Sequence, residues 1–319
     1  MQKESRNESS ARHQDNAFTA LRHALEAEGS AVRTFVVLRD GQLAFEHYRH
    51  DSSPETLENI NSATKSVVGL AVGIALGEGL LPSLDAPICD FIDAARNPAL
   101  DDRVRSITLR HLLNMTAGFE WDQGAIDDCV LGPCERFAGG EDRLTFVLSR
   151  PIVHAPGTQF VYDTHAVQLL SIAVETVAGR TLEQYVREKL FAPLGIDSYE
   201  WIADEAGHTF AGRGLLLRAR DMAKLATLML DRGGQIIDAS FIDDAVSVHS
   251  EGGPPMHDAR YGYLWWIAPR YFFAAGFGEQ FIFVAPEERI VAAVTCDDDV
   301  VHKGVRALFE RHVLRIDSD

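Results

Sequence analysis

The chain has 319 residues, 46% of them apolar, which is enough for one large hydrophobic core or two smaller cores that share an interface. Its formal charge of −17 leaves no basic face for nucleic-acid phosphates or an anionic membrane, so we expect neither partner. The polar N-terminus has no apolar stretch of the kind found in secretory signals, and no apolar run reaches the roughly 18 residues of a membrane span, which predicts a cytoplasmic protein.

The first third of the chain predicts a helix, a β-hairpin and a buried helix, in that order. Apolar residues recur at helical spacing over 17–28, and Gly29 follows as a stop signal. Two runs rich in β-branched and aromatic residues flank Asp40–Gly41, which predicts two strands joined by a tight turn. The stretch 67–76 is apolar on every side, and a helix has this pattern only where protein surrounds it.

The middle of the chain predicts helices, and the last part predicts strands. From about 90 to 199 the pattern is mostly helical with long loops, and one helix opens with Thr181 and Gln184 in capping-box spacing. Four short runs rich in aromatic and β-branched residues follow over 261–296, as in an antiparallel meander. A final helix is predicted over 303–314.

Strands near both chain ends predict one antiparallel sheet flanked by helices, with the helical middle inserted as a second lobe, an α/β architecture of the α+β type. We assign 17–89 and 200–319 to a discontinuous sheet lobe and 90–199 to a helical lobe. Residues 1–16 lie outside both lobes and are predicted to be flexible. A cleft between two lobes is the default place for a ligand.

The cysteines predict neither a disulfide framework nor a metal site. Four cysteines are too few to cross-link a chain of this length, and in a reducing compartment they are expected as free thiols. Cys129 and Cys134 are close enough in sequence to pair, so their redox state stays open. No second pair of Cys or His has ligand spacing, and we expect no metal and no organic cofactor.

The start of the buried helix, NINSATKSVVGLAVGIALGEGLL over 59–81, carries Ser62 and Lys65 one helical turn apart on the same face. An ammonium at the mouth of an apolar helix is desolvated, which favours the neutral amine, a base able to take a proton from a serine hydroxyl. Lysine is scarce in this chain, so chance matches to this spacing are infrequent. The alternative is an N-cap serine followed by a solvated lysine.

This motif and the segments after it resemble the serine β-lactamase-like hydrolases, the group of class C β-lactamases, DD-peptidases, carboxylesterases and 6-aminohexanoate-oligomer hydrolases. The resemblance runs in family order from about Val32 onward and implies the fold of that group. The segments that carry it include SLDAPICDFI, ITLRHLLNMTAGFEWD, PGTQFVYDTHAVQLLS, GRTLEQYVREKLFAPLGI, GRGLLLRARDMAKLATLML, YGYLWWI and AAGFGEQFIFVAPEERIVAAV.

The resemblance implies a role for each residue of the motifs. Ser62 is expected to be the acylated nucleophile and Lys65 its hydrogen-bonded activator. Tyr162, in FVYDTH, matches the second-motif tyrosine, which accepts the serine proton and passes it to the leaving group. The backbone N–H groups of Ser62 and Phe277 are expected to form the oxyanion hole, with Gly276 beside Phe277 letting the substrate approach the backbone closely.

Two departures from the family pattern bear on the substrate. Ala274 and Ala275 stand where a Lys or His often binds a penicillin-type carboxylate, and Thr164 replaces the commoner Asn of the second motif. Both changes argue against β-lactamase and DD-peptidase activity. They are compatible with the carboxylesterase and 6-aminohexanoate-hydrolase branch.

Substrate contacts are predicted from the same motifs and from the loop over 119–142, which is expected to border the cleft. Trp121 is assigned as a wall, and Asp122 or Asp163 as a polar anchor for a substrate with an amine or other cationic end. Thr164 and Gly276 complete the candidate substrate-binding residues. The alternative for the charged members is simple solvation.

The sequence therefore predicts a serine hydrolase that cleaves an ester or amide of a small molecule through a Ser62 acyl-enzyme. An acyltransferase that passes the same acyl group to an amine or alcohol is the first alternative, since the acylation step is shared. A binding or sensor module that retains the fold is the second. The oligomeric state stays open.

Overall fold

A seven-stranded antiparallel sheet built from both ends of the chain carries the fold. The computed structural model of the protein describes residues 18–27, 30–121, 143–204, 206–297 and 304–315. The strands are β1 Val32–Arg39, β2 Gln42–Tyr48, β3 Glu58–Asn59, β4 Tyr199–Trp201, β5 Leu215–Leu217, β6 Arg260–Tyr261, β7 Trp266–Ile267, β8 Phe272–Gly276, β9 Gln280–Ala285 and β10 Ile290–Cys296.

The order of strands across this sheet is β2-β1-β10-β9-β8-β7-β6. The two chain ends meet where β1 pairs with β10, with Phe35 opposite Val294. The predicted sheet from both chain ends and the predicted hairpin around Asp40–Gly41 are therefore confirmed. The run over 261–268 forms two short strands instead of one, because Leu264 adopts a positive φ of 61° and turns the chain.

Helices cover both faces of this arrangement. The α-helices are α1 18–25, α2 Thr64–Gly77, α3 Leu109–Leu113, α4 Arg143–Ser149, α5 Gln168–Ala178, α6 Leu182–Val186, α7 Ala219–Leu230, α8 Ala239–Ala245 and α9 Val305–Leu308. Short 3₁₀ turns lie at Asn61–Ala63, Ile88–Asp90, Asp93–Arg96 and Asp102–Ser106, and π-helical turns at Arg187–Phe191 and Phe309–Leu314.

Two predictions on helices are confirmed by the contacts that the side chains make. The Thr181 hydroxyl accepts from the Gln184 N–H, and the Gln184 side chain accepts from the Thr181 N–H, which is the predicted capping box. Helix α2 is buried on every side, from its first residue to Ala75. Its packing against α8 is close, since a Cβ atom added at Gly73 would lie only 2.4 Å from the ring of Phe241.

A small second sheet, in the order β3-β5-β4, positions the start of α2. The Ile60 N–H donates to the Leu215 carbonyl at 3.0 Å, and the Leu215 N–H donates to the Thr64 hydroxyl at 3.3 Å. Strand β3 leads into the 3₁₀ turn before α2. Because β5 runs antiparallel to β3, the residues just before β5 lie beside this turn. The small sheet thus brings Gly212 next to Lys65.

Several expectations are not tested by this architecture. The division into a sheet lobe and a helical lobe stays a prediction, while 1–16, Cys129 and Cys134 lie outside the described residues. Within the described ranges, no helix combines the length and apolar character that crossing a lipid bilayer requires. Within those same ranges, His, Cys, Asp and Glu side chains form no group of three or more that could hold a metal ion.

Candidate active site

Ser62 and Lys65 lie in hydrogen-bond contact at the start of α2. The Lys65 Nζ donates to the Ser62 Oγ at 2.7 Å and to the Gly212 carbonyl oxygen at 2.7 Å. Ser62 is in the 3₁₀ turn that precedes α2, and Lys65 is in the first turn of α2 and is 1% exposed. The solvated lysine of the alternative reading is therefore wrong.

The 3₁₀ turn that carries Ser62 is fixed by the asparagines before it. Asn61 adopts a positive φ of 47°, a conformation that a side chain rarely adopts unless local contacts hold it. The Asn59 side chain accepts from the Asn61 N–H and donates to the Asn61 side-chain oxygen, each at 3.0 Å. The hydroxyl of Ser62 is thus held on a rigid turn.

Tyr162 lies on the other side of Lys65. Its ring centroid is 5.0 Å from the Lys65 Nζ, and the ring stacks on Trp266 at 5.6 Å with an interplanar angle of 24°. The neighbouring Tyr261 is fully buried, and this burial, with Tyr162 as a second cause, raises the pKa of the Tyr261 phenol well above its usual value. The Tyr261 phenol is therefore held in its neutral form.

The turn between β8 and β9 reaches the same place from the sheet. The Asn61 side chain donates to the Phe277 carbonyl oxygen at 3.0 Å, which ties this turn to the turn of Ser62. A Cβ atom at Gly276 would lie 2.2 Å from the Ile60 carbonyl oxygen. A side chain at position 276 would therefore collide with the backbone, while the substrate contact at Gly276 and the role of the Phe277 N–H stay predictions.

Asp163 does not fit the substrate anchor that the sequence analysis assigned to it. Its side chain accepts from the Arg150 guanidinium at 2.8 Å and from the backbone N–H groups of His165 and Ala166 at 2.9 and 3.0 Å. The residue is 4% exposed. We correct the assignment because a buried carboxylate with its charge already paired is not available to a cationic substrate.

Arg150 is the residue of this region that sequence reasoning missed. The guanidinium carbon lies 4.9 Å from the Phe119 ring centroid, 5.4 Å from that of Trp121 and 5.5 Å from that of Phe146. Arginine on aromatic faces is a favourable contact. No local signal in the sequence marks Arg150, because three of these four partners, Phe119, Trp121 and Asp163, lie 13 or more residues away in the sequence.

The remaining predicted substrate residues are Trp121, Asp122 and Thr164. Trp121 is partly exposed and meets the His165 ring edge-on at 4.7 Å. Asp122 lies outside the described residues. Thr164 is buried against Gly212, where a Cβ atom would lie 2.7 Å from the Thr164 methyl group. Thr164 thus packs against the residue that accepts from Lys65.

Comparison with known proteins agrees with this geometry. Residues 16–314 match the family described as Beta-lactamase. The 6-aminohexanoate-dimer hydrolase of Paenarthrobacter ureafaciens is 24% identical over 233 residues, which are 69% of this chain and 58% of that protein. Monacolin J acid methylbutanoyltransferase of Aspergillus terreus is 36% identical over 124 residues, 37% of this chain and 29% of that protein.

One solved structure shows the extent of the shared fold. The structure of EstCE1, a hydrolase with promiscuous acyltransferase activity, superposes with a TM-score of 0.79 at 17% identity and covers 95% of this chain and 99% of that chain. The curated relatives are longer, and the chain spans a little over half of the first and less than a third of the second. The predicted fold is confirmed.

Proposed function

Because this chain belongs to the beta-lactamase family, we propose that it is a serine hydrolase that cleaves an ester or amide through an acyl-enzyme on Ser62. The observation that carries this proposal is the buried Lys65 amine, 2.7 Å from the Ser62 Oγ with Tyr162 beside it. A serine hydroxyl is a weak nucleophile until an adjacent base removes its proton. The site supplies such a base at hydrogen-bond distance.

The chemistry assigned to these residues has two halves. In acylation, the Ser62 oxygen attacks the substrate carbonyl carbon while its proton passes to the Lys65–Tyr162 pair, and the pair then protonates the departing alcohol or amine. The Ser62 and Phe277 N–H groups stabilise the oxyanion. In deacylation the same pair takes a proton from the water that attacks the acyl carbon, and it returns this proton to the Ser62 oxygen as the acyl–oxygen bond breaks and the carboxylic acid leaves.

Two features favour linear esters and amides over β-lactams. Ala274 and Ala275 are buried in β8 and carry no charge to bind a penicillin-type carboxylate. Thr164, in place of the usual asparagine, packs against Gly212. The substrate in this proposal is a small molecule with an accessible ester or amide. The cytoplasmic location stays a prediction of the sequence.

Acyl transfer is a second candidate, favoured by the 36% identity to a methylbutanoyltransferase over 124 residues. The two reactions share the Ser62 acyl-enzyme and differ in whether water or a bound amine or alcohol attacks it. Product analysis with and without an added acceptor separates them, since transfer predicts an acylated acceptor in place of free acid.

Covalent labelling tests the proposal. The protein is incubated with a fluorophosphonate or p-nitrophenyl acetate, and the modified residue is located by mass spectrometry. We expect an adduct on Ser62, none at that position in Ser62→Ala, and an adduct as in the wild type in Ser66→Ala. Ser66 is a matched control because it is a serine four residues further along, in the first turn of α2, whose hydroxyl donates to the Leu264 carbonyl. A wild-type protein without an adduct contradicts the proposal, and so does equal labelling of Ser62→Ala.

A further inference from the structure

Arg213, which the mechanism above does not use, follows directly on the residue that accepts from Lys65. Its side chain is partly buried, and its Nε is buried with no hydrogen-bond partner among the described residues. Within the part of the chain that the structure describes, no carboxylate lies at ion-pair distance from its guanidinium. A charged group in this state loses hydration without gaining a counter-ion.

A shortage of acids does not explain why Arg213 has no partner among the described residues. The chain has 47 Asp and Glu residues against 30 Lys and Arg, and several other partly buried arginines are paired, although Arg39 also has a buried Nε with no partner in the described ranges. Arg33, for example, contacts Glu58 at 2.9 Å, and Arg49 contacts Asp297 at 2.6 Å. In a protein with excess negative charge, a guanidinium that no described carboxylate pairs, on the residue next to Gly212, is suited to an anion from outside the chain.

The backbone that carries Arg213 is held at the site through the preceding residue, Gly212. Gly212 is fixed from both sides, because its carbonyl accepts from Lys65 and its Cα packs on Thr164, two residues after Tyr162. The Arg213 guanidinium carbon lies 5.8 Å from the ring centroid of the buried Phe210. A guanidinium held against an aromatic ring is partly ordered before any ligand binds.

We propose that Arg213 binds a carboxylate of the substrate, so that the enzyme prefers esters or amides that carry an anionic group. The planar guanidinium presents paired N–H donors that match the two oxygens of a carboxylate. This inference rests on the proposed function and names its substrate class. It differs from the cationic substrate expected from the sequence, for which Asp163 is already paired with Arg150 and Asp122 stays an untested prediction.

The test uses two pairs of esters that differ in one charge. The first pair is 4-nitrophenyl hydrogen glutarate and its neutral methyl ester, which place the charge on the acyl group. The second pair is 4-carboxyphenyl butyrate and the neutral 4-carbamoylphenyl butyrate, in which the charge differs on the leaving group. We expect kcat/KM for the acid to exceed that of its neutral partner by about 10- to 100-fold in at least one pair, mainly through KM.

Substitutions assign the preference to Arg213. In Arg213→Gln the ratio of acid to neutral ester falls to about one, and in Arg213→Lys part of the preference returns. Arg96→Gln is the control, since Arg96 is exposed and pairs with Asp93 on the surface, and it keeps the wild-type ratio. Equal kcat/KM within both pairs overturns the proposal, and so does an unchanged ratio in Arg213→Gln.

Failure of this inference can be told from failure of the proposed function. Turnover of the neutral esters without a preference for the acids overturns the Arg213 proposal and leaves the hydrolase. If the wild type turns over none of the four esters, the proposed function fails. Calorimetric titration with glutarate then tests whether Arg213 binds a carboxylate. Saturable binding that is lost in Arg213→Gln and kept in Arg96→Gln supports the carboxylate site, and no saturable binding overturns it.

Discussion

The two sides of the candidate active site are built in different ways. On the Ser62 side, the side chains that fix the geometry bind backbone carbonyls: Lys65 binds that of Gly212, Asn61 that of Phe277 and Ser66 that of Leu264. On the Tyr162 side, the chain is held by a buried ion pair between Arg150 and Asp163. One side is anchored on main chain and the other on a pair of charges.

This difference separates function from stability. A backbone carbonyl persists whatever residue carries it, so a side chain on the Ser62 side can be exchanged without leaving a buried charge. Removing one member of the Arg150–Asp163 pair leaves the other charged and buried, which is costly. We expect substitutions on the Ser62 side to reduce activity chiefly and substitutions on the Tyr162 side to reduce stability as well.

The largest expected effect is the loss of activity in Lys65→Met. Methionine fills the volume of the buried lysine but cannot accept a proton, so kcat/KM should fall by about 10³-fold or more. The free energy of unfolding should change by about 1 kcal/mol or less, because the lost bond to the Gly212 carbonyl is offset by removal of a desolvated ammonium. Ester kinetics and urea unfolding measure the two quantities. A free energy of unfolding that is several kcal/mol lower in Lys65→Met than in the wild type would contradict the comparison.

The opposite pattern is expected for Arg150→Met. Asp163 then keeps its two backbone donors but loses its counter-ion, and we expect a loss of about 3–5 kcal/mol in the free energy of unfolding, measured in urea. Because Asp163 follows Tyr162 directly, kcat should fall more than KM rises.

The double variant Arg150→Met with Asp163→Asn is the control for the ion pair. With both charges removed, it should lose less stability than the sum of the two single variants, by about 1 kcal/mol or more. Additive losses would show that the two side chains stabilise the protein independently of each other.

The contact between β8 and the turn of Ser62 gives an intermediate effect. In Gly276→Ala the new methyl group meets the Ile60 carbonyl, so the strand end must move away from Ser62. We expect about 10²-fold lower kcat, since the reacting groups are displaced, and a loss of about 1–3 kcal/mol in stability.

Gly77→Ala is the matched control for this substitution. A Cβ atom at Gly77 would meet its nearest neighbour, a carboxylate oxygen of Asp238, at an ordinary 3.5 Å. This variant should retain wild-type kinetics. Equal kcat in Gly276→Ala and Gly77→Ala would show that the close contact between Gly276 and Ile60 does not position the catalytic groups.

Local signals in the sequence predicted the Ser62 side well. Three predicted features each depend on neighbours within a few residues: the contact of Ser62 with Lys65, the apolar helix after them and the turn at Asp40–Gly41. The structure has all three. The strand patterns near both chain ends are also local, which is why the sheet built from both ends was predicted correctly.

Contacts between distant segments were beyond local patterns. Arg150 and Asp163 are joined across two elements, and Asp163 alone looked like a solvated or substrate-binding charge. Strand β3 has two residues, too few to show a period, so the small sheet left no trace in the sequence. The close approach of Ile60 to Gly276 depends on how the main sheet packs against the turn before α2.

The smallest effect concerns pH on the Tyr162 side. Helix α3 supports that side through Met115, whose carbonyl accepts from the Val161 N–H at 2.9 Å. At the start of α3, the His111 Nδ1 accepts from the Thr108 N–H at 3.2 Å, which requires a neutral ring. Burial lowers the pKa of His111 below its usual 6.5, with Asp85 opposing and Arg110 adding to this shift.

Stability should therefore fall as the pH decreases below about 6.5, because the unfolded chain binds the proton before the folded one does. In His111→Gln the side chain still accepts from Thr108 but cannot titrate. We expect this variant to lose less stability than the wild type between pH 8 and pH 5.5, by about 1 kcal/mol or less, in urea unfolding. Since His47 and His312 titrate in both proteins, only the difference reports on His111. Equal losses in the two proteins would mean that this part of the Tyr162 side does not depend on a neutral histidine.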